Sequence, residues 1–217
     1  MWVERWTSPT GTRRLLTKLG SSEADLYRRV TGLALPHPPR AIRSFGCERP
    51  PRRRAWREER AAWRRAMRLA LDGADVALAS DVAACYPSIG ERAIRMASTW
   101  AGGDPDPLLA FLERAHEVGA AGLPIGPMPS STIADAVLAI ADRQVGAAGL
   151  PPVRWVDDVV FAGSRGEVAR AARTWRVALH DLGLHEHEGK RRTVDVRGTV
   201  PAPSLAARPE RVIMRSS

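Results

Sequence analysis

Three aspartates carry the chemistry that this sequence offers most directly. Asp81 ends the apolar run Val76–Asp81, and about seventy-five residues later Asp157 and Asp158 stand between the apolar stretches VRW and VVFA. A solvated hairpin tip favours turn chemistry such as Asn-Gly, so paired carboxylates between apolar strands are out of place there. Taken singly, an Asp at a strand end is also an ordinary turn residue or helix cap. Taken together, three carboxylates at apolar strand ends repel one another, and the cluster is costly unless cations neutralise it. Hard oxygen ligands gathered at one site are what Mg²⁺ selects, with Mn²⁺ as the alternative. Two such ions about 4 Å apart activate an attacking hydroxyl and stabilise a leaving pyrophosphate.

The elements that must position these carboxylates are legible as local patterns. Val76–Asp81 has no internal breaker and reads as a buried strand, while VRW and VVFA read as a β-hairpin with Asp157 and Asp158 at or beside its tip. Upstream, Trp56, Trp63, Met67 and Leu71 share one helical stripe that Gly73 stops. Ser88 and Glu91 have capping-box spacing before a helix carrying Ile94 and Ala97, and Asp106-Pro107 opens another over Leu109 and Leu112. GAAGLPIGPMPSS reads as a Gly/Pro loop, with Ser130 or Ser131 capping a helix that carries Ile133, Val137 and Ile140. Ser164 and Glu167 form a second capping box, and Val168, Ala172, Trp175, Leu179 and Leu182 mark a helix face that Gly183 terminates. Strand, helices, hairpin and helix in that order predict an α+β domain with helices on one face of a mostly antiparallel sheet.

Composition narrows the classes. A chain of 217 residues with 44% hydrophobic and 26% charged residues is globular in character, which disfavours disorder, collagen and coiled coil. Cys47 and Cys85 cannot form a disulfide framework, the N-terminus lacks an apolar signal core, and Val118–Ala134 is too short and too broken to span a bilayer. A cytoplasmic protein with no membrane partner is expected. The net charge of +9 favours a polyanionic partner. Eleven arginines between Arg40 and Arg68, against three glutamates, concentrate that charge around Arg52, Arg53, Arg54 and Arg57. A solvated helix face in an Arg-rich chain is the alternative reading of the same run.

Motifs around the carboxylates resemble the palm of reverse transcriptases, in family order from about Val76 to Lys190. SDVAACYPSI resembles the first palm motif, GLPIGPMPSS the Leu-Pro-x-Gly loop and its following Ser, RWVDDVVFAG the x-x-Asp-Asp hairpin, and LHDLGLHEHEGKRRT the helix and Leu-Gly-Leu leading to a lysine. The YPSI and LPIGP variants look most like the bacterial branch associated with phage defence and abortive infection. Val156 stands where many members have Ala or Met, and Ile125 where well-known members have Gln.

The resemblance implies a polymerase palm, a ferredoxin-like antiparallel sheet with helices on one face, at 74–196. A basic fingers-like segment precedes it at 1–73, a tail follows at 197–217, and no thumb is recognisable. It implies RNA-directed DNA synthesis on an RNA template from a DNA or RNA primer and dNTPs. Asp81, Asp157 and Asp158 would be catalytic metal ligands, Tyr86 the residue that screens the sugar, and Gly126 and Ser130 part of the nucleotide site. Arg52, Arg53, Arg54 and Arg57 would meet nucleic acid. The short segment after Lys190 implies a partner subunit or an oligomer in place of the thumb, or poor processivity. Lys190 is one of only two lysines beside 31 arginines. A lysine near phosphates serves as a general acid where arginine does not; a chance surviving surface lysine is the alternative. Two rival functions remain: a catalytically inactive palm that binds nucleic acid or regulates a partner, and a template-independent nucleotidyltransferase.

Overall fold

A computed structural model describes residues 1–7, 11, 13–39, 44–45 and 53–197, with 53–56 described by backbone alone. Arg52, Cys47 and the tail beyond Arg197 lie outside the described residues. The fold is α+β: among the described residues there are seven helices, a two-stranded hairpin and a mixed five-stranded sheet. The hairpin pairs β1 (Trp2–Thr7) with β2 (Arg13–Lys18). The sheet comprises β3 (Ser44–Phe45), β4 (Val76–Asp81), β5 (Val153–Trp155), β6 (Asp158–Gly163) and β7 (Arg192–Asp195), in the order β3-β5-β6-β4-β7. Its ladders are antiparallel except β3 with β5, which is parallel, so the sheet is mixed and mostly antiparallel.

Every residue of β4 is buried, which explains why its sequence runs apolar without alternating. One face of the sheet presents Val76, Leu78, Val159 and Phe161 to a core shared with α4 (Glu91–Ala101), α6 (Met128–Ala147) and α7 (Arg165–Asp181). The other face presents Ala77, Ala79, Val160 and Ala162 to Trp63 and Met67 of α2 (Arg53–Leu71). Helices therefore cover both faces, contrary to the one-face expectation. The Trp63 stripe is core-facing as its spacing predicts, but its partner is the sheet's second face.

α1 (Ser21–Ala34) and α5 (Asp106–Glu117) join the larger core, where Tyr27 stacks on Phe111 with ring centroids 4.5 Å apart. The Ser164–Glu167 capping box forms as expected, and Gly73 and Gly183 follow their helices at positive φ. Two other caps do not form. Ser88 closes α3 (Cys85–Ser88) and donates to Ala83 O, leaving Gly90 as the N-cap of α4. α6 begins at Met128, two residues before Ser130, because Pro127 precedes it in extended conformation. No helix among the described residues is long and apolar enough to cross a membrane.

Candidate active site

Register brings the acidic residues together. In the β4–β6 ladder Asp81 is the direct partner of Asp158, and Asp157 occupies the turn between β5 and β6. Val82 N donates to Asp157 O at 3.3 Å, which ties that turn to the end of β4. A segment over a hundred residues downstream is laced to the same end: Ala83 N donates to His185 O, His187 N to Asp81 O, and Val82 bridges Glu186. The 3₁₀ turn Glu188–Lys190 then delivers Lys190 Nζ to Asp81 Oδ2 at 2.8 Å. The predicted residues Asp81, Asp157, Asp158 and Lys190 thus share one site.

Charge in this site is poorly solvated. Burial pushes the Asp157 carboxyl above the usual range and Asp81 adds to the shift, while Lys190 and Arg14 of β2 oppose it. Asp158 is driven up to about 7 by burial, then by Asp157 and Asp81. Burial works against the Lys190 ammonium, but its bond to Asp81 and the three nearby carboxylates hold its pKa above the usual lysine value. Beside this group a pocket of about 260 Å³ is lined by Trp63, Ala79, Val153 and Val160 on its apolar side and by Ser80, Asp81, Asp158, Lys190 and Arg192 on its polar side. The arrangement can hold a cation, move a proton and seat a small apolar group next to both.

The other predicted residues are held by other contacts. Tyr86 is half-buried in α3 and its carbonyl accepts from Leu123 N at 2.9 Å, so it is fixed to the Gly/Pro loop. Gly122 makes this approach possible: a Cβ there would come within 2.4 Å of Pro87 O, at a φ of +55. Gly126 is exposed at φ +123, beside Thr17 of β2, whose N–H donates to Ile125 O at 2.9 Å. Ser130 is fully buried and hydrogen-bonded to the Tyr27 hydroxyl at 2.8 Å. It braces α6 against α1 near the helix start. Arg53 and Arg54 fall on α2, where their side chains are not described, and Arg57 is exposed on the same helix.

Two constellations went unread in the sequence. Arg154 of β5 is fully buried and donates to Asp142 Oδ2 at 2.8 Å, Asp135 Oδ1 at 2.6 Å and Val156 O at 2.6 Å. Glu186 accepts from Ser80 Oγ at 2.9 Å and pairs with Arg176 of α7 at 3.2 Å. The available signals were an arginine flanked by Val153 and Trp155, and two aspartates, Asp135 and Asp142, bracketing the apolar run 136–141 of α6. Comparison with protein-family models and with curated proteins finds no match to the chain.

Proposed function

We propose that the chain is an RNA-directed DNA polymerase built on a polymerase palm. The observation that carries this reading is the meeting of Asp81 with Asp157 and Asp158 at one end of the β4–β6 ladder, with Lys190 paired to Asp81. A strand end, a hairpin and a downstream lysine are the elements that the motif resemblance requires, in the same order.

The donor set fits a hard divalent cation such as Mg²⁺ or Mn²⁺. The donors are poorly solvated, mutually repelling carboxylate oxygens: burial first, and then the neighbouring carboxylates, push Asp157 and Asp158 up, which a bound cation would oppose. No group of three His, Cys, Asp or Glu among the described residues is arranged to hold a metal by itself. This is consistent with Mg²⁺ sites that use one or two carboxylates and take remaining ligands from phosphates and water. Asp81 and Asp157 would hold the metal, and Asp158 would complete or tune the site. Bound there, a divalent cation supplies Lewis-acid activation of a hydroxyl and charge neutralisation on phosphate.

The chain's own residues do the rest. Lys190, held protonated by its carboxylate neighbours, stands as the acid toward departing pyrophosphate. Tyr86 excludes a 2′-hydroxyl, Gly126 admits a close backbone approach, and Arg57 with its neighbours on α2 meets phosphate backbone. A role in bacterial phage defence follows from the YPSI and LPIGP variants. Extension of a primer on an RNA template by dNTPs tests the reading; incorporation that ignores the template would favour the nucleotidyltransferase.

The Lys190–Asp81 ion pair also suits a second reading, an inactive palm that binds nucleic acid, since the lysine already compensates one carboxylate. A retained site is stabilised by Mg²⁺ or Mn²⁺ with a triphosphate in a thermal shift, because a ligand bound only to the folded state raises Tm. An inactive palm shows no such shift.

A further inference from the structure

We infer that Arg154 is a positioning residue that sets the Asp157–Asp158 turn from inside the core. The inference rests on the polymerase reading for its purpose and on this structure for its geometry. Among the described residues only Ala84 and Val156 combine a side chain with positive φ, at +44 and +54. Ala84 lies between Asp81 and Tyr86, and Val156 immediately precedes Asp157. For a β-branched residue this conformation is a genuine outlier that persists only where its surroundings over-determine it. Val156 has those constraints on both sides: its N–H donates to Phe45 O at 2.9 Å, and its carbonyl accepts from Arg154 Nη1 at 2.6 Å.

The guanidinium is in turn fixed by two acids of α6. Asp142 takes Nε, and Asp135 takes Nη2 while also accepting from Ser44 Oγ at 2.5 Å. A planar fork holds Nε, Nη1 and Nη2 at fixed separations, one for each of these acceptors, whereas the three N–H groups of a lysine ammonium radiate from a single nitrogen on a flexible stem. Arg154 therefore transmits the position of α6, whose N-terminus follows the Gly/Pro loop, to the turn that carries the metal-binding carboxylates. Groups that orient ligands in this way commonly change metal affinity by about 10- to 100-fold when removed.

Arg154→Lys keeps the charge and loses the fork, and it is read by hydrogen exchange and by Mn²⁺ affinity, followed from the signal of free Mn²⁺. The expected result is exchange at least about 10-fold faster in 153–163, unchanged exchange in α7, and Mn²⁺ binding weakened about 10-fold. Unchanged hairpin exchange overturns the inference, as does acceleration spread equally over the molecule or a loosened hairpin with intact Mn²⁺ affinity. If the lysine variant does not fold, Asp135→Ala takes its place: it removes one acceptor that holds the guanidinium, and a hairpin as protected as wild type overturns the inference. A wild type that binds no Mn²⁺ contradicts the polymerase reading instead, and hairpin exchange alone then decides whether Arg154 sets the turn.

Discussion

Asp81 and Asp158 are register partners in the β4–β6 ladder, two carboxylates facing each other across adjacent strands. Like charges directly opposite destabilise a sheet, so this pairing is maintained against the stability of the metal-free protein. The cost is measurable.

That cost has a pH signature. The Asp158 carboxyl sits at about 7 in the folded protein and near 3.9 when unfolded. The folded state therefore holds the proton more tightly, so stability from this group is complete below about pH 4, falls as pH rises, and levels off above about pH 7. Each pKa unit of difference is worth about 1.4 kcal/mol. With chelator present, Asp158→Asn should melt like wild type near pH 4 and above it near pH 8. Parallel Tm profiles for the two proteins would remove Asp158 as the titrating group.

Lys190 separates charge from proton transfer. Arg at this position preserves a cation beside Asp81 but cannot surrender a proton, whereas Met removes both. Lys190→Arg should keep the metal-free Tm close to wild type yet slow incorporation about 100-fold, in the range typical for loss of a general acid. Lys190→Met should lose both stability and rate. Full rescue of turnover by arginine would reduce Lys190 to an electrostatic partner.

Tyr86 tests sugar selection. Overpacking a ring against a 2′-hydroxyl costs about 1 to 3 kcal/mol, equivalent to roughly 10- to 200-fold discrimination. Tyr86→Ala should raise ribonucleotide use relative to deoxyribonucleotide use by that order, measured as the ratio of kcat/KM on one primer-template. The same ratio in both proteins would dismiss the gate.

The basic helix should announce itself through salt. Each neutralised phosphate contributes about 0.7 to 0.9 to the slope of log affinity against log salt. Replacing Arg53, Arg54 and Arg57 by Ala should flatten that slope for RNA binding; an identical slope would leave α2 a solvated face.

The parts of this architecture that sequence reveals are the parts set by local chemistry. β4 ends at Asp81, the hairpin brackets Asp157, and Ser164 caps α7, because each depends on residues within a few positions. What sequence hides is set by distant partners. Ser130 has a cap's spacing, but Tyr27, 103 residues away, takes its hydroxyl into the core. Arg154 reads as one more charge in an arginine-rich chain until α6 supplies two acids to hold it. The stripe on α2 specifies an apolar partner without saying which face of the sheet it is, hence the mistaken expectation of helices on one side.

Asp157 stands at the centre of the proposed chemistry, as a ligand for catalysis where β4 and β6 meet, and one substitution addresses that role most directly. Asp157→Asn removes a charge and almost no volume, and circular dichroism matched to wild type would establish that the fold survives. RNA-templated primer extension by the wild type with Mg²⁺ or Mn²⁺, and none by the variant, is the expected result. Extension by the Asn variant at the wild-type rate would contradict it.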